Sequence, residues 1–319
     1  MSLVLSSILN RISSFPNTLP PALAEGLIWG LVAIGVYISY KILDIADLTV
    51  DGSICTGGCV CAVLISAGVP APVAVIAAFF AGALAGMVTG VLHTLLGIPS
   101  ILAGILTQLM LYTVNLLILG GKSMVSINYR MFPLLMHMSD NWASIVNGIV
   151  LVACLIIGLW LFFYTELGLT LKSTGDNPDM SRAQGVNVKL NKVIGLAIAN
   201  GIVALAGAML AQYKGSINLQ DGRGAIVIAL AAIFIGLSVS LKIKPNFVVS
   251  LIGVVCGAVV YFVIYNFVIL LGLKTDYLKM LSAVIVVLFL AIPYLKNEYF
   301  RKKKPLPIRQ LQNGGDKDA

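Results

Sequence analysis

Four groups of side chains in this sequence are of the types that chemistry uses. Asp44, Asp47 and Asp51 crowd one short stretch, and Cys55, Cys59 and Cys61 follow within a single apolar segment. His93 stands alone, and Gly121-Lys122-Ser123 matches the end of a phosphate-binding loop. None of these completes a reactive set. Cys55 and Cys59 share a helix face, which suits a metal ion, but a full ligand set is missing and small packing residues explain them better. His93 has no carboxylate three or four residues away, so a structural hydrogen bond is the expectation for it. The phosphate loop fails because its first glycine would fall at Leu116 and no strand precedes it. With no HExxH, nucleophile elbow or catalytic carboxylate cluster, the chain reads as non-enzymatic and binds no metal or cofactor of its own.

The elements that must carry these residues are membrane helices. Hydrophobic residues make up 59% of the 319-residue chain and charged ones 11%, against roughly 25% charged in a soluble domain. Apolar runs near the ~20 residues that cross a bilayer recur along the chain, and in lipid such runs must satisfy their backbone groups as helices. The expected fold is therefore an all-α integral membrane protein with about nine spans, near 22–43, 53–69, 71–96, 100–119, 142–165, 192–213, 225–240, 246–272 and 277–295. The 225–240 run is short and follows Gly222 and Gly224, so this span is expected to be broken or re-entrant. Residues 1–21 read as a short leader without the basic start of a cleaved signal, 22–295 as the membrane domain, and 296–319 as a basic tail that frays.

Lysines and arginines orient the chain. Nine spans with the C-terminus inside leave fourteen of these residues on the inner side and seven outside. A cytoplasmic C-terminus follows, resting mainly on the tail cluster Arg301 to Lys304. The net charge of +8 does not point to nucleic acid, because the basic residues are dispersed with no aromatic platform between them.

Polar residues at membrane depth are the pathway candidates, since each is costly there unless it has work to do. Asp47, Thr49, Asp51 and Ser53 fall where the first two spans meet, a stretch that reads either as a broken helix beside a pathway or as a solvated loop capping the second span. Gln108 and Asn115 share a face of the fourth span, with Tyr112 between them at helical spacing. They can contact a solute or bond to neighbouring helices, and Asn200 in the sixth span poses the same choice. By contrast, Ala78, Gly82, Gly86 and Gly90 form a stripe of small residues suited to close helix packing.

The longest inner loop, 166–191, carries a complete set of helix punctuation in its second half. Asp176 or Asn177 can cap, Pro178 suits the first turn, Asp179 complements the positive end, and Gly185 can terminate in the left-handed region. A helix of about two turns results, marginal alone in water, so it must pack on its own protein or on a partner. Met180 and Ala183 offer apolar contacts and Arg182 a charged one.

The stretch Leu171-Lys-Ser-Thr-Gly-Asp-Asn-Pro-Asp-Met-Ser-Arg-Ala-Gln-Gly185 resembles the coupling-helix loop of ABC importer permeases grouped with the branched-chain amino acid and ribose permeases. Three further stretches are similar to the branch that works with aromatic-amino-acid-type (tryptophan- or tyrosine-like) binding lipoproteins. They are Ile42-Leu-Asp-Ile-Ala-Asp-Leu-Thr-Val-Asp-Gly-Ser53, Leu92-His-Thr-Leu-Leu-Gly-Ile-Pro-Ser-Ile-Leu-Ala-Gly-Ile105, and Ala199-Asn-Gly-Ile-Val-Ala-Leu-Ala-Gly207 leading to Asp221-Gly-Arg-Gly224. The four occur in the family's order and the resemblance runs from about residue 22 to 295. It implies a plasma-membrane permease that forms a homodimeric or pseudo-dimeric pore, docks a cytoplasmic ATPase dimer on its short helices, and receives solute from an extracytoplasmic binding protein. ATP and Mg would belong to the ATPase, and an amino acid or similar small solute would move by alternating access. Ten-span relatives carry an extra N-terminal helix without a counterpart among the spans above. The rival is a secondary transporter or channel independent of any ATPase, which gives the capped inner helix no task.

Overall fold

The computed structural model describes residues 15–127, 134–240 and 246–270, together with isolated positions between 280 and 291. Helix α1 (Phe15–Tyr37) runs on as a π-helical turn (Ile38–Ile42) and is followed by α2 (Val50–Ser66), α3 (Ala71–Thr94) and α4 (Ser100–Ile118). After strand β1 (Met124–Ser126) come α5 (Asn141–Phe163), α6 (Glu166–Asp176), α7 (Pro178–Ala183) and α8 (Val188–Lys214). Strand β2 (Ser216–Asn218), α9 (Ala225–Ser240) and α10 (Phe247–Leu270) complete the described chain. Among the described residues six helices are long and apolar enough to cross a membrane, namely α1 with its π turn, α3, α4, α5, α8 and α10. The apolar helices α2 and α9 fall short of that length. The expected ninth span, 277–295, and the tail lie outside the described residues apart from scattered positions.

Helix α8 occupies the middle because its neighbours present glycines to it. A methyl group on Gly82 would overlap Ala204 and the Asn200 carbonyl, one on Gly86 would overlap the Leu196 carbonyl, and one on Gly90 would come within 2.8 Å of Val193 Cα. The predicted small-residue stripe of α3 thus lies against α8 and lets the two backbones nearly touch. On another side α2 crosses α8 at Gly57 and Gly207, each facing a carbonyl oxygen of the other helix. Polar side chains buried in this centre find partners on neighbouring elements: on α8, Asn200 Nδ2 donates to Asp47 and Gln212 Nε2 to Cys61 Sγ. Elsewhere the surface is apolar: Phe80, Leu84, Leu117 and Trp142 are all more than half exposed, as the lipid-facing sides of spanning helices require.

Three local features depart from the sequence reading. The segment expected as a leader to residue 21 is helical from Phe15, running through Pro20 and Pro21. The first half of the 166–191 loop forms the eleven-residue α6, capped by the Thr165 side chain on Gly168 N–H at 3.3 Å. Its Gly, Ser and Thr content hid it, because these residues have weak helix propensity. Strands β1 and β2 pair antiparallel, Val125 opposite Ile217, so the helical body carries one small two-stranded clasp.

Between α1 and α2 the chain does leave the helix. The π turn closes with Leu43 N–H on Ile38 O at 3.0 Å, Asp44 takes φ 54°, and α2 starts at Val50. Aspartate tolerates that left-handed conformation better than most residues. The break therefore spans 43–49, so Asp47 and Thr49 sit in it while Asp51 and Ser53 lie in the first turn of α2.

Candidate functional site

The structure sorts the polar pathway candidates into two sets. Asp51, Gln108, Tyr112 and Asn115 line one cavity of about 400 Å³ between α2, α4 and the 219–224 loop. Gln108, Tyr112 and Asn115 reach it together because they lie along one face of α4. Gly52, Cys55, Leu109, Leu219 and Arg223 complete the lining. The sequence does not single out these five as pathway residues, although Arg223 falls within the Asp221-Gly-Arg-Gly224 motif. Asn115 is 1% exposed and its Oδ1 accepts no hydrogen bond from the described residues, a costly arrangement for a buried amide.

The loop on the cavity's rim is fixed by residues of α2. Asp51 Oδ2 accepts Gly224 N–H at 2.9 Å and Oδ1 accepts Ile226 N–H at 3.1 Å, so one carboxylate caps the start of α9 from a different helix. Cys55 Sγ accepts Gly222 N–H at 3.2 Å and donates toward Leu219 O at 3.4 Å. A side chain on Gly222 would overlap the Asp51 carbonyl, which is why the loop can lie so close. Cys55 thus ties the loop to α2, and among the described residues no cluster of three metal-ligating side chains exists.

Asp47, Thr49, Ser53 and Asn200 form the second set, a buried network with no face on the cavity. Asn200 Nδ2 donates to Asp47 Oδ2 at 2.6 Å, and Ser53 Oγ donates to Asn200 Oδ1 at 2.7 Å. Asp47 Oδ1 accepts Thr49 N–H at 2.9 Å, and the Thr49 and Thr89 hydroxyls bond at 2.7 Å. All four are at most 2% exposed. They tie the break at 43–49 to α3 and α8. His93 bonds through Nδ1 to Ile98 O at 2.9 Å, the structural role expected for it.

The inner loop folds as its punctuation dictates. Asn177 rather than Asp176 is the cap: its Oδ1 accepts Asp179 N–H at 3.1 Å and Met180 N–H at 3.0 Å, with Pro178 in the first turn. Asp176 is the last residue of α6. Gly185 has φ 82°, and the bonds from Gly185 N–H to Arg182 O and Val186 N–H to Ser181 O close the helix as a Schellman turn. Arg182 pairs with Asp179 at 2.9 Å on the surface. Ser181 is buried, whereas Met180 is 60% exposed and Arg182 and Ala183 are also open. This six-residue helix therefore presents an apolar side chain outward from a fixed seat. The seat is α6, which is joined to α8 by Asn191 Nδ2 donating to Thr174 Oγ1 at 3.1 Å.

Comparison with known proteins agrees with this architecture. The chain is 36% identical over 271 residues to a tyrosine transport system permease protein of Clostridioides difficile, covering 84% of this chain and 89% of the relative. It is 32% identical to the uncharacterized protein RP368 of Rickettsia prowazekii, covering 88% of this chain and 99% of that one. Identity is also 32% to the autoinducer 2 import system permease protein LsrC of Escherichia coli, over 80% of this chain and 72% of the relative. No solved structure shows significant similarity to it. The family described as branched-chain amino acid transport system / permease component matches residues 21–290, nearly the whole membrane-spanning body, and this chain belongs to that family of membrane permeases.

Proposed function

We propose that this chain is the non-catalytic membrane subunit of an ATP-driven importer, with α7 as the contact for a separate cytoplasmic ATPase that holds ATP and Mg. The observation that carries the reading is α7 itself, capped at both ends, seated through Ser181, and exposing Met180. A helix of six residues does not persist in water unaided, and so elaborate a set of stops has little use in an inert loop. In this reading the C-terminus is cytoplasmic, 277–295 supplies a ninth span in the plasma membrane, and α9 with its 219–224 lead-in is a broken span. Two copies form the pore, an extracytoplasmic binding protein delivers the solute, and the cavity on α4 belongs to its path.

The test is a Met180→Cys variant purified with its ATPase and treated with a short thiol crosslinker. A product of permease and ATPase is expected, and Gly185→Val, which forces a β-branched residue into φ 82°, is expected to abolish solute-stimulated hydrolysis while leaving membrane insertion intact. Absence of the crosslink together with normal hydrolysis in Gly185→Val would point instead to a carrier that uses no ATPase.

The cavity makes a separate prediction. Tyr112 is 45% exposed, so a cysteine there should react with a water-soluble thiol reagent, and bound solute should slow the reaction. Asn115→Leu removes an amide from the cavity wall and should cut uptake by about tenfold, the effect of losing one or two polar contacts. Unchanged uptake in Asn115→Leu with no solute protection at position 112 would remove α4 from the path.

A further inference from the structure

A second cavity, of about 380 Å³, opens where α1, α5 and α10 end beside α6. Its lining includes Lys41 from the π turn, Lys172 and Asp176 from α6, Phe163 and Tyr164 from the end of α5, and Phe247 from the start of α10. Lys172 and Asp176 are four residues apart and so share a face of α6, yet they form no ion pair. Among the described residues the only ion pairs are Arg182 with Asp179 and Lys214 with Asp221. Lys41, Lys172 and Asp176 are all exposed. Three charges thus gather around one opening without neutralising one another.

Depth is marked by aromatics. Trp160 and Tyr164 stack edge to face at 5.1 Å and are 41% and 72% exposed, and Tyr40, next to Lys41, is 38% exposed. Exposed Trp and Tyr at the ends of spanning helices sit at the level of lipid headgroups. Just along α5 from them, Ile157 and Leu161 are both 56% exposed, an apolar face suited to an acyl chain. Phe163 and Phe247, with ring centroids 4.9 Å apart, form part of the cavity wall.

We infer that this cavity is a phospholipid headgroup site, with the phosphodiester held by Lys41 and Lys172 and a primary ammonium of the same headgroup held by Asp176. Two cations and one anion complement a group that carries one phosphate and one ammonium, as in phosphatidylethanolamine. A headgroup with phosphate alone leaves Asp176 opposed to it, and a trimethylated ammonium cannot donate a hydrogen bond to the carboxylate. Basic pockets among helix ends are a recurring place for lipid phosphates. Because Asp176 directly precedes the Asn177 cap, the lipid would bear on the junction between α6 and α7. The assignment depends on the chain being a membrane protein and is independent of what it transports.

Native mass spectrometry of the full chain released from detergent tests it, with phosphatidylethanolamine, phosphatidylglycerol and phosphatidylcholine of matched acyl chains offered in turn. Retention of phosphatidylethanolamine is expected to exceed that of phosphatidylcholine by about fivefold and to fall to parity in Asp176→Asn, whereas Lys41→Gln/Lys172→Gln should lower retention of both lipids, the size expected of a few exposed ionic contacts. Asp176→Asn should erase the preference of phosphatidylethanolamine over phosphatidylglycerol, and it carries the test alone if the double variant does not accumulate. Equal retention of all three lipids by the wild-type chain overturns the site. So does retention unaltered in Asp176→Asn. Soluble glycerophosphoethanolamine competing as well as the intact lipid would assign the lysines to a free phosphate ester and overturn the lipid reading.

Discussion

Replacing Gly207 by Val is expected to eliminate the folded protein, and replacing Gly57 by Val to do the same. The two glycines form one contact: a side chain on Gly57 would overlap the Ala204 carbonyl, and one on Gly207 would overlap the Ile54 carbonyl. The obstacle in each case is backbone oxygen in the middle of a helix, which cannot rotate aside as a side chain can. Overpacking usually costs about 1–3 kcal/mol where side chains yield, so a rigid obstacle puts the cost at or above the top of that range. Against a total stability of about 5–15 kcal/mol, and with α8 at the centre of the packing, this is enough to lose the native state. Gly158 on α5 is the control, since nothing lies within 4 Å of a methyl placed there. Gly158→Ala should match or slightly exceed the parent. Size-exclusion profiles and melting temperatures in detergent decide the matter, and a normal peak with unchanged melting for Gly207→Val would mean that α2 and α8 do not cross where the structure has them.

That crossing also shows which parts of the molecule the sequence discloses. The stripe from Ala78 to Gly90 is visible by spacing alone, because a repeat of four brings small residues to one helix face and lipid gives such faces little other use. Gly57 and Gly207 escape this reasoning, since each stands at a crossing of two helices far apart in sequence and has no periodic signal. The same distinction divides the polar residues. Asn177, Pro178 and Gly185 act on their own backbone within a few residues, and their roles follow from type and order. Asp51 looks like the cap of its own helix from sequence, yet its carboxylate reaches Gly224 and Ile226, more than 170 residues on. Gln108, Tyr112 and Asn115 were legible as a set from their helical spacing. What they share with Arg223 depends on how the 219–224 loop is folded back, and only the three-dimensional arrangement reveals it.

Asn200→Leu should be the most damaging change in the buried polar network, and it separates two roles that sequence left open for that residue. Leucine has similar bulk, so the loss is chiefly of hydrogen bonds: Asp47 Oδ2 loses its donor and Ser53 Oγ its acceptor in a fully buried region. Leaving a buried acidic group without its hydrogen-bond donor costs about 1–3 kcal/mol or somewhat more, because the group stays desolvated. Asp47→Ala removes that carboxylate, so adding it to Asn200→Leu should recover part of the loss, a coupling of about 1–3 kcal/mol in a double-mutant cycle. Additive effects would deny the network and leave Asn200 as a packing residue. Accessibility supplies the second arm. Asn200 is fully buried, so a cysteine there should resist the thiol reagent that modifies position 112, with or without solute. If Asn200→Cys reacts as readily as Tyr112→Cys and solute protects it, the path runs beside α8 in some state of the transporter. If it stays inert while Asn200→Leu loses stability, the network's work is to hold the 43–49 break against α8. Because α8 continues directly from the loop that carries α7, that hold also joins this end of the molecule to the cavity wall on α2.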